Sequence, residues 1–294
     1  MNGVSLDQLN VCEPPHFVGA LADIYEHSPW VAEAVLAKRP FATLKALHEA
    51  MSAVVRAARD VSKRALLNAH PDLAGKAARA GEITVDSKKE QRSAGLDRLT
   101  DAEFDDFHRL NSAYRDKFGF PFIICVRRHG KDSIFRQFAA RLRNDIATEY
   151  DTALTEVIRI AALRLDQHVS ARDKLPVHGR LSTHVLDTHL GAPAQGVAFE
   201  LRALSSTGAE PVTAGATNAD GRTDPPLIAG RPLPIGRYEL RFAIGDYFKA
   251  RGVALADPPF LDVVPLQFAI AEPEGQYHVP LIVTPWSYST YRGS

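Results

Sequence analysis

The sequence predicts two domains of opposite class, an all-helical bundle followed by an antiparallel β-sandwich. Three observations carry that reading. Apolar residues recur at helical spacing through the first half, and they alternate with polar ones from Arg180 onwards. Between the two regimes, from Asp166 to Gly179, the chain is polar and irregular, with Pro176 and no apolar stripe. The boundaries fall at residues 1–165 for the bundle, 166–176 for a linker and 177–294 for the sandwich. A chain of 294 residues suits two domains better than one core.

Taken in order, Pro14-Pro15 opens a helix with Phe17, Leu21 and Ile24 on one face, and a second short helix from about Pro29 to Lys38 stops at Pro40. Phe41, Leu44, Leu47, Met51, Val55 and Ala58 form a long amphipathic stripe. Pro71 disfavours helical geometry at the residue before it, so His70 is expected at a bend after a helix end. Ser87 with Glu90 reads as a capping box, and capping alone would account for that glutamate. Thr100 with Glu103 is a second box, followed by Phe104, Phe107, Leu110, Tyr114 and Phe118, and Gly119 ends the helix. The run from Phe120 to Val126 is apolar and too short for a buried helix; it is expected to cross the helical core extended. Two more helices are expected over 133–144 and 148–165.

The second half is expected to be strands. Leu181, Thr183, Val185 and Asp187 alternate with Ser182, His184 and Leu186, which puts His184 on one defined face. Val197 to Leu201, Tyr238 to Ile244, Phe260 to Ile270 and Tyr277 to Thr284 repeat the pattern between turns such as Asn218-Ala-Asp-Gly221. Short strands at such spacing indicate an antiparallel sandwich.

Composition narrows the function. Thirty-five basic residues balance 35 acidic ones, so there is no electrostatic footprint for nucleic acid or an anionic membrane. No apolar run reaches the roughly 18 residues a bilayer span needs, and Met1 to Pro15 lacks the basic start and apolar core of a leader. Cys12 and Cys125 lie far apart, which suits a reducing compartment; with no terminal Ser-Lys-Leu, the cytoplasm is expected. Zinc is the rival use for the histidines. No His-x-His or His-x-x-x-His spacing supports it and no cysteine joins them, so no metal and no cofactor are expected.

In the second half His184, Arg222 and His278 are the chemistry-bearing residues. Imidazoles shuttle protons near neutral pH and a guanidinium polarises a carbonyl, a set suited to adding water to a strained ring amide. The words around them, Leu-Ser-Thr-His-Val-Leu-Asp-Thr188, Thr-Asn-Ala-Asp-Gly-Arg222, Tyr-His-Val-Pro-Leu281 and Tyr-Arg-Gly-Ser294, resemble the transthyretin-related family of 5-hydroxyisourate hydrolases from about Val177 onwards. The resemblance implies a transthyretin-like fold, His184, Arg222 and His278 as catalytic residues, and Tyr291 as a substrate contact beside His184 and Arg222. One departure stands out: the family commonly has a second histidine where this chain has Gln276, and glutamine cannot move a proton near neutral pH.

His-Pro-Asp-Leu-Ala-Gly-Lys76, Ser-Lys-Lys-Glu-Gln91, Ser-Ala-Gly-Leu-Asp97 and Phe-Gly-Phe-Pro-Phe-Ile-Ile-Cys-Val126 resemble 2-oxo-4-hydroxy-4-carboxy-5-ureidoimidazoline (OHCU) decarboxylase over roughly Leu6 to Leu165. That family is helical and cofactor-free, and its substrate is the hydrolase product. The resemblance implies His70 as proton donor and Glu90 as its partner. It implies substrate contacts from Pro71, from Ser87, Lys88, Lys89, Glu90 and Gln91, and from Phe122, Ile123, Ile124, Cys125 and Val126. Arg164 matches a substrate-binding arginine, with Arg159 close by.

Together the resemblances imply a fused enzyme taking 5-hydroxyisourate to (S)-allantoin, with small molecules as its partners. They also imply a homo-oligomer through both domains, since the decarboxylases are dimers and the hydrolases tetramers. Two alternatives stand beside this reading: a sandwich that is only a carrier, and a helical half that is only a dimerising scaffold. Presence of His184, Arg222, His278 and the tyrosine-bearing tail argues against the carrier, and presence of both His70 and Glu90 argues against the scaffold.

Overall fold

Several helices of the first half begin where a short polar side chain accepts from amides that have no partner within the helix. The computed structural model describes residues 4–74 and 84–293, so Gly75, Lys76 and Ser294 of the motifs above lie outside the described residues. Its helices are α1 (Leu6–Val11), α2 (Pro14–Leu21), α3 (Trp30–Val35), α4 (Leu44–Ala57), α5 (Asp60–Asn68), α6 (Val85–Ser93), α7 (Asp101–Phe118), α8 (Lys131–Arg141) and α9 (Ile146–His168). Thr43 caps α4, Thr100 and Glu103 form the expected box on α7, and Asp145 caps α9. Each such cap contributes about 1 kcal/mol. Gly119 ends α7 at φ 76°, a conformation that costs glycine little.

One cap differs from expectation. Helix α6 starts three residues early, with Thr84 accepting from the Ser87 amide, so Ser87 is the third helical residue and not the cap. Glu90 is thereby released from a capping role.

The extended crossing over residues 120–126 is present and buried at every position, without regular secondary structure until Val126 opens a short 3-10 helix, Val126–Arg128. Such a segment needs side chains to satisfy its backbone. Arg141 donates from Nη1 to the Ile123 carbonyl at 2.8 Å, and the Cys125 amide donates to Glu156 at 2.8 Å. Arg141 is itself held by the fully buried Glu149, which also accepts from Tyr114 and Asn144. The Arg141 guanidinium lies 4.5 Å from the Phe122 ring centroid, and Phe122 stacks on Phe138.

The segment 166–176 is not the free linker its polarity predicts. Helix α9 continues to His168, and a two-residue strand β2 (Val169–Ser170) pairs in parallel with β1 (Val4–Ser5). Asp173 then accepts from the Leu44 and Lys45 amides at the start of α4, and Asp166 accepts from the Leu175 amide at 2.9 Å. Its polar residues are helix-end partners. The chain divides into two compact units, one holding residues to Arg127 with Ile134–Pro176, the other Arg128–Ser133 with Val177–Ser294.

In the second unit β3 (Gly179–Asp187), β4 (Ala192–Pro193), β7 (Ile228–Arg231), β10 (Gln276–Val283) and β11 (Tyr288–Thr290) form one sheet. The other sheet runs in the order β6 (Gly208–Ala216), β5 (Ala198–Ser205), β8 (Gly236–Ala243), β9 (Val263–Ile270). Leu181, Val185, Leu201, Leu240, Phe242 and Leu281 fill the space between them. Pairing is antiparallel except between β3 and β10, which run in parallel, a departure that period-two patterns cannot reveal. A short helix, α10 (Ile244–Ala250), replaces the expected end of a strand; seven residues are too few to show a helical stripe. Tyr247 on α10 donates to the buried Asp187 at 3.0 Å. Strand β9 starts only at Val263, after Pro258-Pro259, and leaves Phe260 exposed.

Candidate active sites

In the helical unit a small cavity of about 30 Å³ opens where the end of α5, one face of α6, the 120–126 crossing and α9 converge. His70 and Pro71 enter from the bend, Ser87, Glu90 and Gln91 from α6, and Arg164 from α9. Phe122, Ile123, Ile124 and Val126 supply its apolar wall. Lys88 and Lys89 do not line it: positions 87, 90 and 91 share one helical face, and both lysines are exposed on the other. Cys125 is buried but off the wall; its contribution is the amide held by Glu156. Arg159 pairs instead with Glu156 at 2.5 Å.

His70 is buried and its Nδ1 donates to the Leu66 carbonyl at 2.9 Å, so the neutral ring carries its lone pair on Nε2. Burial holds its pKa below the ordinary histidine value; Glu26, the Leu66 carbonyl and Glu90 pull the other way. Arg164 meets Glu90 in a fork, Nε to Oε1 at 2.9 Å and Nη2 to Oε2 at 3.0 Å, and reaches Glu26 from Nη1 at 2.6 Å. Glu26, in the turn between α2 and α3, was not legible as a site residue, because nothing periodic marks a lone glutamate after Ile24-Tyr25. Burial raises its pKa, but Arg164 and Thr84 outweigh that and leave it below the carboxylate norm.

The bend itself is pinned by Gln91, which accepts from the Ala74 amide at 3.0 Å, and by Asn111, which donates to the Leu73 carbonyl at 2.9 Å.

In the sandwich, β3 turns Leu181, Thr183, Val185 and Asp187 inward, so Arg180, Ser182 and His184 share the outer face. The parallel register sets Gln276 beside Arg180, His278 beside Ser182 and Pro280 beside His184. His278 Nδ1 lies 3.0 Å from the Ser182 hydroxyl. Arg222 arrives on a turn: the Asn218 side chain accepts from the Asp220 and Arg222 amides, Gly221 adopts φ 69°, and Arg222 bridges to His184. A Cβ on Gly221 would collide with the Val185 carbonyl, so only glycine lets the turn pack this closely.

His184 has Nε2 buried without a hydrogen-bond partner among the described residues, and the Asp220 backbone favours its protonated ring. Burial and then Arg222 lower its pKa; burial, Arg222, His184 and Arg180 lower that of His278. Both rings are therefore neutral near pH 7 and able to accept a proton.

Arg222 and His278, with Arg180, Ser182, Gln276 and Tyr277, line a cavity of about 280 Å³, and His184, the bridge partner of Arg222, is not part of that wall. Tyr291 lines a different cavity of about 430 Å³ between the β9 and β11 edges. The tail still touches the site, since the Gly293 amide donates to the His278 carbonyl at 2.9 Å and a Cβ there would meet the His278 ring at 2.8 Å.

The OHCU decarboxylase family matches residues 10–166, and the HIUase/Transthyretin family matches residues 181–293. The chain belongs to both families. The sandwich is similar to 5-hydroxyisourate hydrolase of Deinococcus radiodurans, 57% identical over 117 residues, 40% of this chain and 98% of that protein. The helical unit is similar to the OHCU decarboxylase of Halalkalicoccus jeotgali, 41% identical over 173 residues, 59% of this chain and 96% of that protein. A crystal structure of (S)-allantoin synthase is 38% identical with a TM-score of 0.52, covering 99% of this chain and 100% of its own. The helical OHCU decarboxylase domain thus precedes a transthyretin-like domain, and both a lyase and a hydrolase family are present in one chain.

Proposed function

We propose that this chain performs two consecutive steps of urate breakdown, hydrolysis of 5-hydroxyisourate to OHCU in the sandwich and decarboxylation of OHCU to (S)-allantoin in the helical unit. The observation that carries the reading is the presence, in one chain, of both families, each with a histidine and an arginine gathered at a cavity.

In the sandwich, a neutral His184 or His278 takes a proton from water as hydroxide adds to the ring amide carbonyl. Arg222 stabilises the charge developing on the carbonyl oxygen. The carbon–nitrogen bond then breaks, the proton passes to the departing nitrogen, and OHCU leaves as a carboxylate. In the helical unit, the carbon–carboxylate bond breaks and its electron pair moves toward the ring imine, whose nitrogen takes up one proton from solvent. Neutral His70 accepts the proton of the 4-hydroxyl and returns it to the neighbouring carbon, which sets the stereocentre. Glu26 and Glu90 favour the transient imidazolium. The crossing residues 122–126 shield one side of the ring from water.

The small-molecule substrates need no nucleic-acid or membrane partner, and among the described residues no helix is long and apolar enough to cross a membrane. We place the protein in the cytoplasm as a homo-oligomer through both domains, with Tyr291 brought to a hydrolase site only where copies meet.

Two variants separate the activities. His70→Ala is expected to stop decarboxylation while hydrolysis persists, so that OHCU accumulates and decays slowly to racemic allantoin. Arg222→Lys keeps the charge but loses the planar fork and is expected to lower hydrolysis about a hundredfold or more. Parent rates in either variant would remove that residue from its role.

A further inference from the structure

Arg164 has five N–H donors, and all five are engaged within the protein. Nε and one Nη2 hydrogen go to Glu90, the other Nη2 hydrogen to the Ser87 hydroxyl at 3.3 Å, and the Nη1 pair to Glu26 at 2.6 Å and the Asp23 carbonyl at 3.2 Å. An anionic substrate therefore reaches this guanidinium only by exchange with a present partner. The two carboxylates are not equivalent in that exchange. Glu90 lines the cavity and its side chain retains 12% exposure, whereas that of Glu26 retains 1%. Glu26 is also fixed from elsewhere, accepting from Thr84 at 2.8 Å and Ser87 at 3.1 Å. Releasing Glu26 would leave a buried carboxylate unpaired, which is far costlier than releasing Glu90 toward solvent.

We propose that Glu26 is a positioning residue of the decarboxylase site, the fixed anion that holds the inner edge of Arg164 and offsets positive charge arising on His70. The first role leaves Glu90 as the partner that the substrate carboxylate displaces. Arg164 keeps a charged acceptor throughout and presents the same edge to the cavity. The second role follows from where the charges stand. Glu26 is bound to Ser87 and Arg164, which line the same cavity as His70, so among the described residues it stands one residue removed from that wall; Glu26 and Glu90 favour the protonated ring, and Arg164 opposes it. When substrate has displaced Glu90 from Arg164, Glu26 is the anion whose position has not changed.

This inference rests on the decarboxylase reading above, and the two can fail separately. If the parent protein does not decarboxylate OHCU, the functional reading fails before any variant is made. With an active parent, Glu26→Gln and Glu26→Asp are compared over pH, using hydrolysis of 5-hydroxyisourate by the same chain as a control for protein recovery. Glu26→Gln removes the charge: kcat is expected to fall about tenfold or more, and the acid limb of kcat/KM to move to lower pH because the protonated ring has lost its main counter-charge. Glu26→Asp keeps the charge but falls short of Arg164, so the limb is expected to stay near its parental position while KM for OHCU rises. A purely structural glutamate would lower active protein in both variants without moving the limb. An unmoved limb in Glu26→Gln, or a parental KM in Glu26→Asp, would overturn the proposal.

Discussion

His70, His184 and His278 share a condition that their motifs do not state: each is held below the ordinary histidine pKa, first by burial and then, for the sandwich pair, by Arg222. A depressed imidazole is neutral in the folded protein at a pH where the unfolded chain is already protonating. Stability from these groups is therefore fully present above about pH 6.5 and declines as pH falls through the unfolded value toward the folded one. The same sign governs activity, because the neutral ring is the form that accepts a proton in both proposed steps. The acid limb of kcat/KM is expected to lie below pH 6.5 for hydrolysis and for decarboxylation alike. Initial rates measured separately on 5-hydroxyisourate and on OHCU check this, and a limb above 7 in either would contradict the neutral-histidine mechanism. These histidines were legible in the sequence because a bend or a strand gave each a defined direction. Glu26 was not, since its meaning comes only from Arg164, which is distant in sequence and reaches it from another helix. Lys88 and Lys89 carry the same motif but are exposed and off the cavity wall, because a motif names a stretch whereas a helix turns only one face of it toward a cavity.

Among the elements, the 120–126 crossing shows how a segment with no ladder of its own is held in place. Glu149 anchors Arg141, Arg141 holds the Ile123 carbonyl and covers Phe122, and so a wall of the cavity depends on a carboxylate outside its lining. Glu149→Gln turns an acceptor among four donor contacts into a partial donor and leaves the Arg141 charge buried without a counter-ion. Breaking such a pair costs about 3–5 kcal/mol, which should lower the unfolding midpoint of the helical unit by on the order of 10 °C. The same variant is expected to raise KM for OHCU. Calorimetry and steady-state kinetics check the two effects, and an unchanged midpoint would show the network to be dispensable. The hydrophobic stripe on α7 and its capping box were legible because they are local. The parallel pairing of β3 with β10 was not, since alternation fixes which residues share a face but not which strand lies alongside. The misread linker has a similar cause: Asp173 looks like solvated loop until the α4 amides it accepts from are in view.

At the scale of the whole molecule, the fused chain carries two chemistries that meet in one metabolite, the product of the sandwich being the substrate of the bundle. The tail lies against a residue proposed for the first of them, His278. Its Gly293 amide donates to the His278 carbonyl and the residue lies against the His278 ring. Deleting residues 291–294 is expected to abolish hydrolysis of 5-hydroxyisourate while leaving decarboxylation of supplied OHCU and the unfolding of the helical unit unchanged. A truncated protein that hydrolyses at the parent rate would exclude the tail from the site. The two-domain plan was legible from the change of period near Arg180, because 3.6-residue and two-residue repeats are global signatures that survive local misreading.

The central claim, that one chain performs both steps in sequence, is tested most directly by giving the intact protein freshly prepared 5-hydroxyisourate and following circular dichroism. A single trace reports hydrolysis, decarboxylation and the configuration of the product. The account predicts rapid loss of the 5-hydroxyisourate signal followed by stable, optically active (S)-allantoin. Accumulation of OHCU followed by slow formation of racemic allantoin, at the rate of the reaction without enzyme, would contradict it.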